Sequence, residues 1–248
     1  MLAEERMERI VSMVAEAGSM SVPDLASALG VTASTIRRDL SNLSRAHRVA
    51  KVHGGAMSLE RAHVAIDLGL EDRSDLYAHE KGRIARAASA MLEADSYVYL
   101  DSGSTVHRLI DVLPQDPSIT YVTDSAGHAL RIAGRGLRVR LLGGELKRQT
   151  ESVVGPEALA AVERYNFSLG FWGVNGISAT AGLTTPDMEE AAVKRASIER
   201  CAHPVVLADA SKFDMIAPVT FAGLDTCEVL TAGAVPEGYR VRRNVRIV

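Results

Sequence analysis

Before Ala46, apolar residues recur at helical spacing in three separate segments. Met7, Ile10, Val11 and Val14 make the first stripe, and Gly18 beyond it is placed to cap a helix C-terminus. Ser21 and Asp24 form an S-x-x-D start with Pro23 in the first turn; Leu25, Ala28 and Leu29 make the apolar side, and Gly30 supplies a turn. Thr32 then caps a third helix, in which Ile36, Leu40 and Leu43 fall at i, i+4 and i+7. Ser34, Arg37, Arg38 and Ser41 share the opposite face of that helix. After Leu43 the period drops to two: Val49, Lys51 and His53 alternate with Ala50, Val52 and Gly54, and Gly54-Gly55 is expected to end the strand. Three helices, a tight turn before the third and a strand behind it predict a winged helix-turn-helix over residues 1–57.

Residues 58–75 have mixed polarity and no sustained period, which predicts a linker. From Ala78 a helix is expected through Ile84, Ala85, Ala88 and Leu92. Short, dense apolar runs then alternate with helical segments: Tyr97 to Leu100, Ile119 to Val122, Leu137 to Leu142, Phe167 to Trp172 and Val205 to Ala208. That alternation predicts a larger α/β domain over residues 76–248, its mostly parallel sheet covered on both faces.

Composition narrows the partners. A chain of 248 residues has room for one sizeable core and a small second domain, and 47% hydrophobic with 24% charged residues is an ordinary globular mixture. No run approaches ~18 apolar residues, and the start lacks the basic and apolar regions of a signal peptide, so no membrane partner is expected. Two cysteines, Cys201 and Cys227, argue against a disulfide scaffold or structural zinc and for a cytoplasmic location. His47 and His53 have no Cys or His neighbours at metal spacing, and no metal or cofactor is expected.

The chain carries a net charge of −3, yet between Ser34 and His53 Arg37, Arg38, Arg45, Arg48 and Lys51 face Asp39 alone. A basic helix face by itself is usually just solvated. Here it follows a helix-turn lead-in and precedes a wing, so it points to double-stranded DNA, with Arg37 and Arg38 able to reach guanine edges or phosphates. Ser34, Thr35 and Ser41 on the helix, and Lys51 and His53 on the wing, complete the expected contacts. Aromatic residues at 4% disfavour a base-stacking single-strand binder.

In the second domain the chemistry sits just after the apolar runs. Leu100 precedes Asp101, Ser102, Gly103, Ser104 and Thr105; Val122 precedes Thr123, Asp124 and Ser125; Leu142 precedes Gly143 and Gly144. Trp172 precedes Gly173, and Ala208 precedes Asp209, Ala210, Ser211 and Lys212. In an open α/β sheet the carboxyl ends of strands line one crevice, so these segments can converge. D-S-G-S-T leading into a helix reads either as a phosphate cradle or as a polar capping turn. Lys212 could meet a phosphate or a carbonyl oxygen as a point charge.

The run Thr35 to Leu40 (T-I-R-R-D-L), followed by V-H-G-G-A at Val52 to Ala56 and D-x-S-K-F at Asp209 to Phe213, resembles the DeoR family of bacterial transcriptional regulators. The resemblance extends to about Thr231. It implies a winged helix-turn-helix joined to a sugar-phosphate-sensing domain similar in fold to ribose-phosphate isomerases, with the D-S-G-S-T loop binding the phosphorylated sugar. It also implies a lysine at the ligand site at Lys194, which on its own reads as a solvated charge on an amphipathic helix starting near Asp187, and an arginine before the sensor domain, matched by Arg73. Two departures stand out. The family commonly has T-N-S where this chain has Thr123-Asp124-Ser125, so an amide becomes a carboxylate that only accepts when ionised; this favours a ligand hydroxyl or amine there. Ahead of the wing, His47 and Arg48 replace a glycine and an aliphatic residue.

The function implied is a regulator, with a repressor of a sugar or polyol catabolic operon expected, released by a phosphorylated sugar effector and acting as a homodimer or homotetramer. The alternative is a sugar-phosphate isomerase-like enzyme on the same fold, with Asp101, Asp124 or Asp209 as general base and Lys212 as electrophile.

Overall fold

The helix signals near the N-terminus act locally, and each forms where its cap stands. Helix α1 (Ala3–Ala17) stops at Gly18, whose φ of 75° favours glycine. Helix α2 (Val22–Leu29) starts at Ser21, whose Oγ accepts the Asp24 N–H at 3.2 Å and donates to the Asp24 carboxylate at 2.6 Å. Thr32 Oγ1 accepts the Thr35 N–H at 3.2 Å to start α3 (Ala33–Arg45). Ile10, Val14, Leu25, Ile36, Leu40 and Leu43 meet in one buried core, each contributing about 1.5–3 kcal/mol by leaving water.

In this computed structural model the described residues are 2–46, 48–52, 54–58 and 76–248; His47, His53, Arg73 and all of the expected linker except Ser58 lie outside them. The chain divides into two units, Met1–Ile66 and Asp67–Val248.

The wing is richer than its sequence pattern. Strands β1 (Ser19–Ser21), β2 (Ala50–Val52) and β3 (Gly55–Met57) form an antiparallel sheet in the order β1-β3-β2. Gly55 therefore opens a strand where the pattern had the strand ending. It lies opposite Ser21, and a Cβ there would run into the Met20 carbonyl oxygen. Three-residue strands are too short for alternation to announce them, and β1 gave no signal.

The second unit begins with α4 (Ala78–Ser89), β4 (Tyr97–Leu100), α5 (Ser104–Asp111), β5 (Thr120–Thr123), α6 (Ala126–Gly134) and β6 (Val139–Leu141). A hairpin of β7 (Glu145–Leu146) and β8 (Val153–Val154) leads to α7 (Pro156–Val162) and β9 (Phe167–Gly173). Then come β10 (Gly176–Ser178), β11 (Gly182–Thr185), α8 (Met188–Glu199), β12 (Cys201–Asp209) and β13 (Val219–Ala222). Strand β14 (Glu228–Ala232), the short helix α9 (Glu237–Arg240) and β15 (Val245–Ile247) close it.

Seven strands form one sheet in the order β15-β14-β12-β9-β4-β5-β6, and every pairing in it is parallel. Its side chains alternate between two cores. Val98 and Leu100 of β4 and Val205 and Leu207 of β12 pack with Ile84, Ala85, Leu109 and Ile132. Tyr99, Trp172, Val206 and Ala208 pack on the other face with Ala158, Ala191, Val193 and Phe221. Strands β10, β11 and β13 form a separate antiparallel sheet that the apolar pattern did not reveal.

From β4 the chain builds the sheet outward through β5 and β6, then returns to add β9, β12, β14 and β15 on the other side. Strands β4 and β9 thus flank the reversal of strand order, the place where open α/β sheets form a crevice at their carboxyl ends.

Candidate functional sites

The outward face of α3 carries Ser34, Arg37 and Arg38 exposed, with Thr35 and Ser41 half-buried beside them. Asp39, the single acid of this stretch, turns inward instead. Its carboxylate is buried against Arg6, with Nε–Oδ2 at 2.6 Å and Nη2–Oδ1 at 3.3 Å, so it does not oppose the arginines outside. Lys51 of β2 donates to Ser41 Oγ at 2.9 Å, and Ser41 Oγ donates back to the Arg37 carbonyl at 2.8 Å. The wing is thereby tied to the outward face of α3. Arg48 departs from the expectation that it adds charge near DNA: it forms a bidentate pair with Glu8 of α1, one contact being 2.8 Å, and the exposed acid offsets it.

In the second unit, Asp101 follows β4 and is fully buried. Its Oδ2 accepts the Lys194 ammonium at 2.5 Å and the Gly173 N–H at 2.8 Å. Gly103 presses on Gly173: a Cβ on either would lie 3.1 Å from the other's Cα. The two glycines let the D-S-G-S-T loop touch the end of β9 across the strand-order reversal.

Gly103 is also the N-cap residue of α5 and offers no side-chain cap, so the first amide groups of that helix have no side-chain acceptor from it. Ser102, Ser104 and Thr105 are buried around this turn. The Lys81 ammonium of α4 donates to Ser104 Oγ at 3.1 Å.

Lys194 corrects the surface-charge reading of its helix. It projects inward from α8, over the Phe221 ring at 5.7 Å, with its ammonium also 3.4 Å from the Gly173 carbonyl. Burial alone would pull its pKa down, but Asp101, Asp124 and Glu190 more than reverse this and raise it. At Asp124 burial itself acts upward: burial, then the nearby Asp101 charge, push its carboxyl well above the usual carboxylate range.

The remaining expected residues divide. Thr123 Oγ1 accepts the Ser125 N–H at 3.1 Å and Ser125 Oγ accepts the His128 N–H at 3.2 Å, so both hydroxyls build the start of α6. Asp209 Oδ1 accepts from the backbone and hydroxyl of Ser211, shaping the turn that holds the buried Lys212. Gly143 and Gly144 lie exposed beyond the edge strand β6. Gly144 has a packing reason of its own, since a Cβ would strike the Val154 carbonyl oxygen at its φ of 143°.

Two charged groups of the second unit escaped the sequence reading. Lys81 stands three, four and seven residues before Ile84, Ala85 and Ala88, a spacing that places it on the buried face. Glu190 stands one helical turn before Lys194, and its Oε1 accepts the hydroxyls of Thr150 at 2.6 Å and Ser152 at 2.7 Å. The same spacing argument would have found both.

Residues 6–62 match the DeoR-like helix-turn-helix domain and residues 77–233 match the DeoR C-terminal sensor domain. The chain belongs to the DeoR family. A Bacillus subtilis (strain 168) protein named "Uncharacterized HTH-type transcriptional regulator FruR" is 33% identical over 100% of this chain and 99% of its own length. The "Glycerol-3-phosphate regulon repressor" of Haemophilus influenzae is 30% identical over 94% of this chain and 90% of its own. Among solved structures, a D-ribose-5-phosphate isomerase in complex with phospho-erythronic acid aligns with a TM-score of 0.42 at 16% identity, over 55% of this chain and 54% of that one. The chain is a DNA-binding transcriptional regulator of the DeoR type, and its relatives favour this over the isomerase-like enzyme. No helix among the described residues is long and apolar enough to cross a membrane.

Proposed function

We propose that this regulator represses a sugar or polyol catabolic operon and leaves its operator when a phosphorylated sugar enters the crevice between β4 and β9. The observation that carries this reading is the buried Lys81–Ser104 contact at the first turn of α5, where Gly103 leaves the amide groups without a side-chain cap. Amide groups at a helix start, two serine hydroxyls, Thr105 and an ammonium suit a phosphate. Lys212, on the turn that follows β12, adds a second cation to the proposed site. Asp101, Asp124 and Asp209 then receive sugar donors, and Lys194 with Gly173 fixes the orientation of Asp101. A relative named for a glycerol-3-phosphate regulon supports a small phosphate ester as the signal.

In the same reading Arg37 and Arg38 contact bases, while Ser34, Thr35, Ser41, Lys51 and His53 contact the backbone of operator DNA. The protein acts in the cytoplasm as a homodimer or homotetramer, since helix-turn-helix pairs read inverted half-sites. The effector must bind one arrangement better than another, because equal affinity shifts nothing. An isomerase role asks for a free carboxylate base, whereas Asp101 is engaged by Lys194, burial beside Asp101 disfavours ionisation of Asp124, and Asp209 accepts from Ser211.

The test is a thermal-stability screen with phosphorylated hexoses, pentoses and trioses, followed by operator gel shifts. An ester present at ~100 times its dissociation constant should stabilise the protein by about 2.7 kcal/mol and release DNA. Failure of every ester to do either, or equal potency of the free sugar, overturns the sensor reading.

A further inference from the structure

The buried side of α1 is formed by Arg6, Ile10 and Val14, so a cation stands where the spacing of the helix would suit a third apolar residue. The buried side of α3 is built alike, with Asp39 enclosed together with Ile36, Leu40 and Leu43. Arg6 and Asp39 meet across 33 positions of sequence, Nε donating to Oδ2 at 2.6 Å and Nη2 to Oδ1 at 3.3 Å. Both carboxyl oxygens are thus held by one planar fork. Asp39 directly follows Arg37 and Arg38 in the chain.

Stability alone does not ask for this pair. Apolar residues of similar volume at two facing buried positions often stabilise as well as an ion pair or better, because the ions must first leave water. What the pair adds is direction. Apolar contact is non-directional, so Ile36, Leu40 and Leu43 hold α3 in the core more firmly than they set its rotation about its own axis. A guanidinium fork on a carboxylate has a narrow geometry and sets that rotation from the inside. Lys51 of β2 is bonded to the same helix from the outside through Ser41, and Ser41 donates to the Arg37 carbonyl. The rotation matters at the arginines. Turning α3 by about 20° carries a side-chain tip ~5–6 Å from the axis by about 2 Å, more than a hydrogen bond tolerates.

We propose that Arg6 is a positioning residue for DNA reading: through Asp39 it sets the rotation of α3, and with it the base edges that Arg37 and Arg38 reach. The inference rests on α3 being the reader, as proposed above, and adds to it a residue of another helix. Arg6 is buried and its guanidinium faces Asp39, so it acts through α3 and not by touching the duplex. Without the pair, discrimination between sequences falls. The outward cations stay, and with them the sequence-independent attraction to phosphates.

The experiment uses the full chain. The parent protein selects a preferred duplex from a randomised pool, and its affinity for that duplex is compared with its affinity for a scrambled duplex of equal length. The same comparison is made for the joint substitution of Arg6→Met with Asp39→Leu. Helical circular dichroism in urea should show the joint variant at least as stable as the parent protein. It should bind the scrambled duplex as before, with the same salt slope, and lose about tenfold or more of the preference, the size of one well-made base contact. Where the joint variant fails to fold, Arg6→Lys, which keeps the charge without the fork, carries the same test and should also lose preference. A folded variant that keeps the parent's preference, or that weakens on both duplexes alike, overturns the inference. If Arg37→Ala or Arg38→Ala lowers the preference in the same assay, the reading of α3 survives that result. If neither does, or if the parent protein selects no sequence, both fall together.

Discussion

Lys81 and Ser104 are joined across 3.1 Å in the buried interior, one on the first helix of the sensor unit and the other on the first residue of α5. Lys81→Met keeps the apolar stem and removes the ammonium, so it should weaken the response to an effective phosphate ester about tenfold or more while leaving operator affinity unchanged. Calorimetry beside gel shifts checks it; an unaltered effector affinity would remove Lys81 from the phosphate site.

Lys212→Ala should likewise abolish release by the ester and spare DNA binding, because its charge belongs to the sensor unit. Ser104→Ala should reduce the same response by less, as a neutral hydroxyl contributes less than a charged donor. Dose–response curves for operator release would separate the two.

On the DNA side, Arg37→Ala or Arg38→Ala should weaken specific binding by roughly 1–3 kcal/mol and relax preference at one base pair. Lys51→Ala should weaken specific and random duplexes alike and reduce the salt slope by about one. Gel shifts in which both arginine variants match the parent protein would show that α3 is not the reader.

Lys194→Met should destabilise the sensor unit by about 3–5 kcal/mol, since it leaves Asp101 buried without its cation. Urea unfolding measures this. A loss below about 1 kcal/mol would mean that the carboxyl simply takes up a proton.

Asp124 gives a pH signature. Its folded pKa is raised above the unfolded value of ~3.9, so over that interval the folded state holds more protons and stability falls as pH rises from about 4. Asp124→Asn removes this slope. The variant should match the parent protein near pH 4 and exceed it increasingly toward pH 7. Parallel melting curves across that range would show that Asp124 does not titrate with folding.

The sequence by itself determined what rests on neighbours a few residues apart. Ser21 and Thr32 cap their helices, Ile36, Leu40 and Leu43 share a face, and Arg37 and Arg38 point away from it; these follow from helical geometry alone. Parallel strands buried on both faces were legible as dense apolar runs, and the loops after them as sites of chemistry. The tertiary structure alone decided which of those loops meet. Lys194 finds Asp101 across 93 positions of sequence, and Gly103 rests on Gly173, because strand order puts β9 beside β4. Burial of a charge depends on those non-local pairings, so a lysine that looked solvated became the counterion of a buried carboxylate. Arg48 went the other way, drawn to Glu8 by the packing of helices that its own neighbours do not specify.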